Sequence, residues 1–150
     1  MTREEFTNEL DGRGYTCEIV DGKVVVTDGG NFYGNVNLPT LTSLPPNVEF
    51  NNRGSVGLVS LIDLPQGTKF NNGGSIDLAS LKIIHSGVVF NNKGVVDLRS
   101  LESIPQGVMF NNEKNVILPW IWLNTWEGNI EGVDSKRLLN VMINKELFER

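Results

Sequence analysis

The chain has 150 residues, of which 39% are apolar and 21% charged, with a formal charge of −5. That length and mix suit one soluble globular domain and exclude a disordered chain, and no apolar run approaches the ~20 residues that span a bilayer. The acidic balance argues against nucleic acid, whose phosphates call for Lys and Arg, but leaves open an acidic surface that docks on a basic protein.

At the front, Phe6 and Leu10 stand four apart in a Glu-rich segment, which predicts a short helix ended by Gly12 or Gly14. Tyr15 to Val20 and Lys23 to Thr27 flank Asp21-Gly22 and read as a hairpin. Residues 1–27 are therefore expected to form an N-terminal cap. Cys17 falls in the hairpin and is read as a buried, inert thiol. As the lone cysteine it excludes an internal disulfide and a cysteine-based metal site. The opening Met1-Thr-Arg-Glu-Glu-Phe lacks the basic-then-apolar layout of a secretion signal, so the expected location is cytoplasmic.

Residues 28–119 are read as a repeat solenoid. Phe-Asn-Asn recurs at 50–52, 70–72, 90–92 and 110–112, always 20 residues apart. Cut at the opening leucine, the units are 41–60, 61–80, 81–100 and 101–120. Their columns include Leu41, Leu61, Leu81 and Leu101; Pro45, Pro65, His85 and Pro105; and Gly54, Gly74, Gly94 and Lys114. Residues 21–40 carry a degenerate copy, with Asn31, Gly34, Val36 and Leu38 in the same columns. A constant period implies coils that stack, since no coil buries its own apolar side. Two extended segments per coil follow from the Val and Phe columns, two apart, and the Val/Ile and Leu columns, also two apart. The phenylalanines should form an interior ladder at roughly 4.8 Å per step, and five coils a rod about 24 Å long.

Beyond Leu118 the repeat dissolves into Pro119-Trp-Ile-Trp. Trp120, Trp122 and Trp126 are read as filling the open end of the coil stack, with an interface role as the competing reading. Asp134 or Ser135 can cap a helix running to about Phe148, so 120–150 is expected to be the C-terminal cap.

Leu41-Thr-Ser-Leu-Pro-Pro, Ile62-Asp-Leu-Pro-Gln-Gly and Leu101-Glu-Ser-Ile-Pro-Gln-Gly, with Val56-Gly-Leu, Ile76-Asp-Leu and Val96-Asp-Leu, resemble short bacterial and phage leucine-rich repeats, over about 21–120. Trp126-Glu-Gly-Asn-Ile-Glu-Gly-Val with Lys136-Arg-Leu-Leu is similar to a tail found in such proteins. The resemblance implies a mainly β, leucine-rich-repeat-like solenoid of parallel stacked strands, capped by a helix–hairpin in front and a helix behind. It also implies protein binding. The chain departs from that family in placing Leu61, Leu81 and Leu101 where the family has Asn, which implies a flatter, two-strand coil.

Candidates for chemistry each have a plainer reading. The Asn pairs suit tight bends and coil-to-coil bonds better than a sugar or metal. His85 has no sequence neighbour that could orient it as a base and is read as a surface substitution. Asp77 and Asp97 share an outward column, with Arg99 and Arg53 near enough to balance them. A wet outer sheet supplies too few oxygens for calcium. No nucleophile, phosphate-loop or zinc motif occurs, so no enzyme activity and no cofactor are expected.

The expected function is a non-enzymatic module that binds a protein through a flat outer face. Asp77, Asp97, Arg99, Val59 and Ile117 form the candidate contact set, and Val89 with Met109 forms an exposed apolar spot. The alternative is a phage-encoded inhibitor that binds a host defence protein through an acidic surface. The partner is expected to be a protein, not nucleic acid or membrane, and a homodimer is compatible.

Overall fold

The computed structural model describes residues 1–119. Helix α1 (Arg3–Gly12) leads into β1 (Thr16–Val20) and β2 (Lys23–Thr27). Short strands then follow: β3 (Val36–Asn37), β4 (Val48–Phe50), β5 (Val56–Gly57), β6 (Asp63–Leu64), β7 (Lys69–Phe70), β8 (Ile76–Asp77), β9 (Ile83–Ile84), β10 (Val89–Phe90), β11 (Val96–Asp97), β12 (Met109–Phe110) and β13 (Val116–Ile117). They wind a β-solenoid of about five turns. Sheet A runs β1-β2-β4-β7-β10-β12, sheet B runs β13-β11-β8-β5-β3, and sheet C pairs β6 with β9. Every pairing is parallel except β1 with β2.

The 20-residue period becomes the rung-to-rung register. Phe50, Phe70, Phe90 and Phe110 pair in line and are fully buried. Their ring centroids lie 5.2, 5.3 and 4.9 Å apart, with planes within 8° of parallel. The backbone sets that spacing. Parallel rings in van der Waals contact are separated by only about 3.5 Å, so these rings slip sideways into the offset stack that the aromatic quadrupole favours. Val56, Ile76, Val96 and Val116 pile up likewise along sheet B, over the leucine column Leu58, Leu78, Leu98 and Leu118.

The Asn pairs divide their work between inside and outside. Asn52, Asn72, Asn92 and Asn112 are buried, and each donates from Nδ2 to a glycine carbonyl of the preceding coil at 2.9–3.2 Å. Asn72 donates also to Gly74 and Ser75 of its own coil, at 3.2 and 3.4 Å. One amide thus closes the bend and ties it to its neighbour. Asn71, Asn91 and Asn111 lie outside and each donates to the Asn before it in the column, at 3.0–3.1 Å.

Two expectations of the coil are corrected. The coil is not a flat two-strand unit, because sheet C adds a third side. Sheet C has two strands for a reason visible in one column. His85 N donates to Leu64 O at 3.2 Å, whereas Pro65 and Pro105, at the same position in adjacent coils, have no N–H to give. The degenerate first copy is also shifted. Val24 and Val26 pair with Val48 and Phe50, a separation of 24, while Val36 pairs with Val56, a separation of 20. Four extra residues therefore sit in the intervening loop, and Asn31 leaves its expected column. Asp28 takes the place of the buried Asn, two residues after Val26 as Asn52 is after Phe50. Its carboxylate accepts from Gly30 N, Arg53 N and Arg53 Nε at 2.9–3.2 Å.

The N-terminal end is closed as expected. Thr2 and Glu5 form a capping box at the start of α1, and Phe6 and Leu10 are fully buried. Asp21 (φ 51°) and Gly22 (φ 78°) make the left-handed turn of the β1–β2 hairpin. The β3 edge of sheet B is met by the Tyr15 side chain. Asn37 N donates to Tyr15 Oη at 2.9 Å, and that hydroxyl lies 3.3 Å from Asn37 O. The expected C-terminal helix and the three tryptophans lie outside the described residues.

Candidate docking face

Inward positions on sheet B are nearly invariant, because only Val, Ile and Leu fill the core there. The outward column is free to differ and reads Asn37, Gly57, Asp77, Asp97, Ile117 along the strand order. Beside it runs the column Asn35, Ser55, Ser75, Val95. These small side chains leave the face concave. An open groove of about 400 Å³ is lined by Asn35, Asn37, Ser55, Gly57, Ser75 and Asp77, continuing past Val95 and Asp97 to Ile117. The groove is open, with Gly57 and Ser55 on one of its rungs.

Among the described residues, no Lys or Arg lines the groove. Asp97 is engaged by Arg99, whose Nε lies 3.0 and 3.1 Å from its two carboxylate oxygens and whose Nη2 lies 2.5 Å from Oδ2. This bond raises the Arg99 pKa further, against a smaller opposing effect of desolvation. Asp77 Oδ1 accepts from Ala79 N at 3.1 Å, an Asx turn. On one side Asp77 is paired with Gly57, so no side chain screens it there. A Cβ built on Gly57 would sit 2.5 Å from Asn37 Oδ1, which places that amide oxygen over the glycine.

Asp77, Asp97 and Ile117 therefore lie together in the groove, and Arg99 reaches it through Asp97. Val59 sits half-buried in the bend after β5, outside the groove lining. Val89 and Met109 are partners on sheet A, a different side of the coil, and both are half-buried. Arg53 does not balance the aspartates of the groove. It is held by Asp28, and its Nη2 donates to Asn31 O at 2.5 Å. The Arg53 guanidinium and N–H in turn hold the Asp28 carboxyl below the usual carboxylate range.

His85 does have a partner, supplied from the preceding coil. Its Nε2 lies 2.9 Å from Asp63 Oδ1, and both side chains are about half exposed. Cys17 is half-buried, not fully, and its thiol pKa is pushed up by desolvation and then by the nearby charge of Asp11. A protonated thiol is a poor nucleophile. Sequence reasoning missed Phe32 and Tyr33. Their rings make an edge-to-face contact at 4.9 Å while remaining 86% and 75% exposed. The signal was available as two adjacent aromatics between Gly30 and Gly34, where the repeat breaks.

Among the described residues, no group of three or more His, Cys, Asp or Glu is placed to hold a metal ion, and no helix is long and apolar enough to cross a membrane. Comparisons with protein-family models, with curated proteins and with solved structures find no match to this chain.

Proposed function

We propose that this chain is a non-enzymatic protein-binding module of the short leucine-rich-repeat-like kind, and that its partner docks along the groove of sheet B. The observation that carries this reading is an open concavity of about 400 Å³ whose lining changes from coil to coil over a constant core. Such a division separates the residues that hold the scaffold from those that meet another molecule. The lining offers polar acceptors along most of its length and an apolar end at Ile117. Polar groups of that kind give a docked segment its register, and apolar contacts add affinity.

Affinity capture from cells that carry the gene tests this, with the wild-type chain and the Asp77→Arg/Asp97→Arg double variant as parallel baits. A protein retained by the first and lost at least tenfold by the second is the expected result, since charge reversal within a docked face repels a matched partner. Circular dichroism of both baits verifies that the fold is unchanged. Equal capture by both baits refutes the assignment of the face. A defence nuclease as the captured protein selects the inhibitor reading.

A further inference from the structure

Resting on the docking reading above, we propose that the groove contains a subsite for one cationic side chain, Arg or Lys, of the docked protein segment, built by Asn37 and Asp77 astride Gly57.

Three observations converge on that point. The first is the charge of the lining. Among the described residues it holds the two carboxylates of Asp77 and Asp97 and no basic side chain. Arg99 already occupies both oxygens of Asp97. Among the described residues Asp77 receives one hydrogen bond, from Ala79 N to Oδ1, so Oδ2 can accept from a ligand, while Arg99 acts on Asp77 through charge alone. The second is the amide of Asn37. The backbone N–H and C=O of this residue are engaged by Tyr15, which fixes the strand, while the side-chain oxygen lies over Gly57 and takes no hydrogen from the described residues. The third is the glycine, which admits that amide. Gly57 is the one rung of the outward column without a side chain, and it pairs with Asn37 on one side and Asp77 on the other.

The Asn37 amide oxygen thus stands over the glycine rung, with Asp77 on the rung beside it. With Asn37 Oδ1 above Gly57, the separation from the Asp77 column is about one strand spacing, ~4.8 Å. A guanidinium or ammonium placed between acceptors at that separation reaches both with N–H···O bonds of the usual 2.7–2.9 Å. A carboxylate or phosphate would meet only acceptors there. Guanidinium suits the geometry better, because its planar fork presents two N–H groups on neighbouring edges. Gly57 makes the approach possible: any side chain there must displace the Asn37 amide.

The test titrates the full-length, ¹⁵N-labelled chain with three blocked pentapeptides, each Gly-Gly-X-Gly-Gly, with X as arginine, citrulline or glutamate. Citrulline keeps the shape of arginine and removes its charge. The expected result is a saturable shift of the Gly57 and Asp77 amide resonances with the arginine peptide, with a Kd below ~10 mM, a range suited to a single exposed ion pair with hydrogen bonds. Citrulline should bind at least about fivefold more weakly, and glutamate should leave those resonances unmoved. Asp77→Asn should weaken the arginine peptide by a similar factor, and Asn37→Ala by a smaller one. Asp97→Asn combined with Arg99→Gln, which removes a net-neutral pair, should leave it within about twofold. Equal response to arginine and citrulline, or shifts of arginine confined to other acidic sites, overturns the cationic subsite. Should capture depend on the groove while these peptides fail to discriminate, the docking reading stands and this one falls. Should capture also ignore the groove variants, both fall.

Discussion

Replacing Phe90 by alanine measures how much of the solenoid is held by its aromatic ladder. The ring is fully buried and stacks on Phe70 at 5.3 Å and on Phe110 at 4.9 Å. Emptying a buried phenylalanine site costs about 3–5 kcal/mol, and each ring–ring contact is worth ~0.5–1.5 kcal/mol beyond burial. Phe50 is equally buried but stacks on one ring, with Val26 on the rung before it. Phe90→Ala should therefore cost roughly 0.5–1.5 kcal/mol more than Phe50→Ala. Urea unfolding followed by far-ultraviolet circular dichroism gives both values. A double-mutant cycle isolates the stacking. Phe70 with Phe90 should show a coupling of about 0.5–1.5 kcal/mol, while Phe50 with Phe90, two rungs or ~10 Å apart, should add within about 0.5 kcal/mol. Additivity at the adjacent pair, or a coupling as large across two rungs, would refute the claim that nearest-neighbour stacking supports the core.

The two asparagines of each bend should separate sharply by thermal melting. Asn72→Ala removes three Nδ2 hydrogen bonds from a buried corner and should cost about 2–3 kcal/mol, whereas Asn71→Ala, on the exposed outer ladder, should cost under ~0.5 kcal/mol. Tyr15→Phe should cost about 1 kcal/mol and should speed hydrogen exchange at the Asn37 amide while sparing the inner rungs of sheet B; unchanged exchange there would mean that the phenol does not cover the edge. Acid sensitivity should trace in part to Asp28. Its folded carboxyl is more acidic than the unfolded one, so its contribution is present above the unfolded value of about 3.9 and is lost as pH falls below that, through the lower folded value. Asp28→Asn should therefore flatten the acid limb of a stability–pH curve below about pH 4, and an unaltered slope would contradict the assignment.

Repetition made much of the fold legible in the sequence. When identical units stack, residue i meets residue i+20, so the phenylalanine ladder, the leucine columns and the outer Asn ladder follow from spacing alone. The N-terminal helix and hairpin were legible for a different reason. Phe6 and Leu10 obey helical spacing, and Asp21-Gly22 is the sequence of a left-handed turn. Within the candidate site, the outward column that holds Asp77, Asp97 and Ile117 followed from the same period.

Contacts that cross columns were decided by tertiary structure. His85 meets Asp63 across 22 residues, Asn71 meets Glu49 across 22, and Arg53 meets Asp28 across 25. Those separations depend on where the backbone turns between strands, and a 20-residue period does not contain that information. The third side of the coil depends on whether one rung can offer an N–H where adjacent rungs carry proline, and its pairing forms only once the coils are stacked. The concavity of sheet B likewise depends on side-chain sizes on several rungs at once. Local spacing thus fixed which residues face in and which repeat; the path of the chain between strands fixed which outward groups meet.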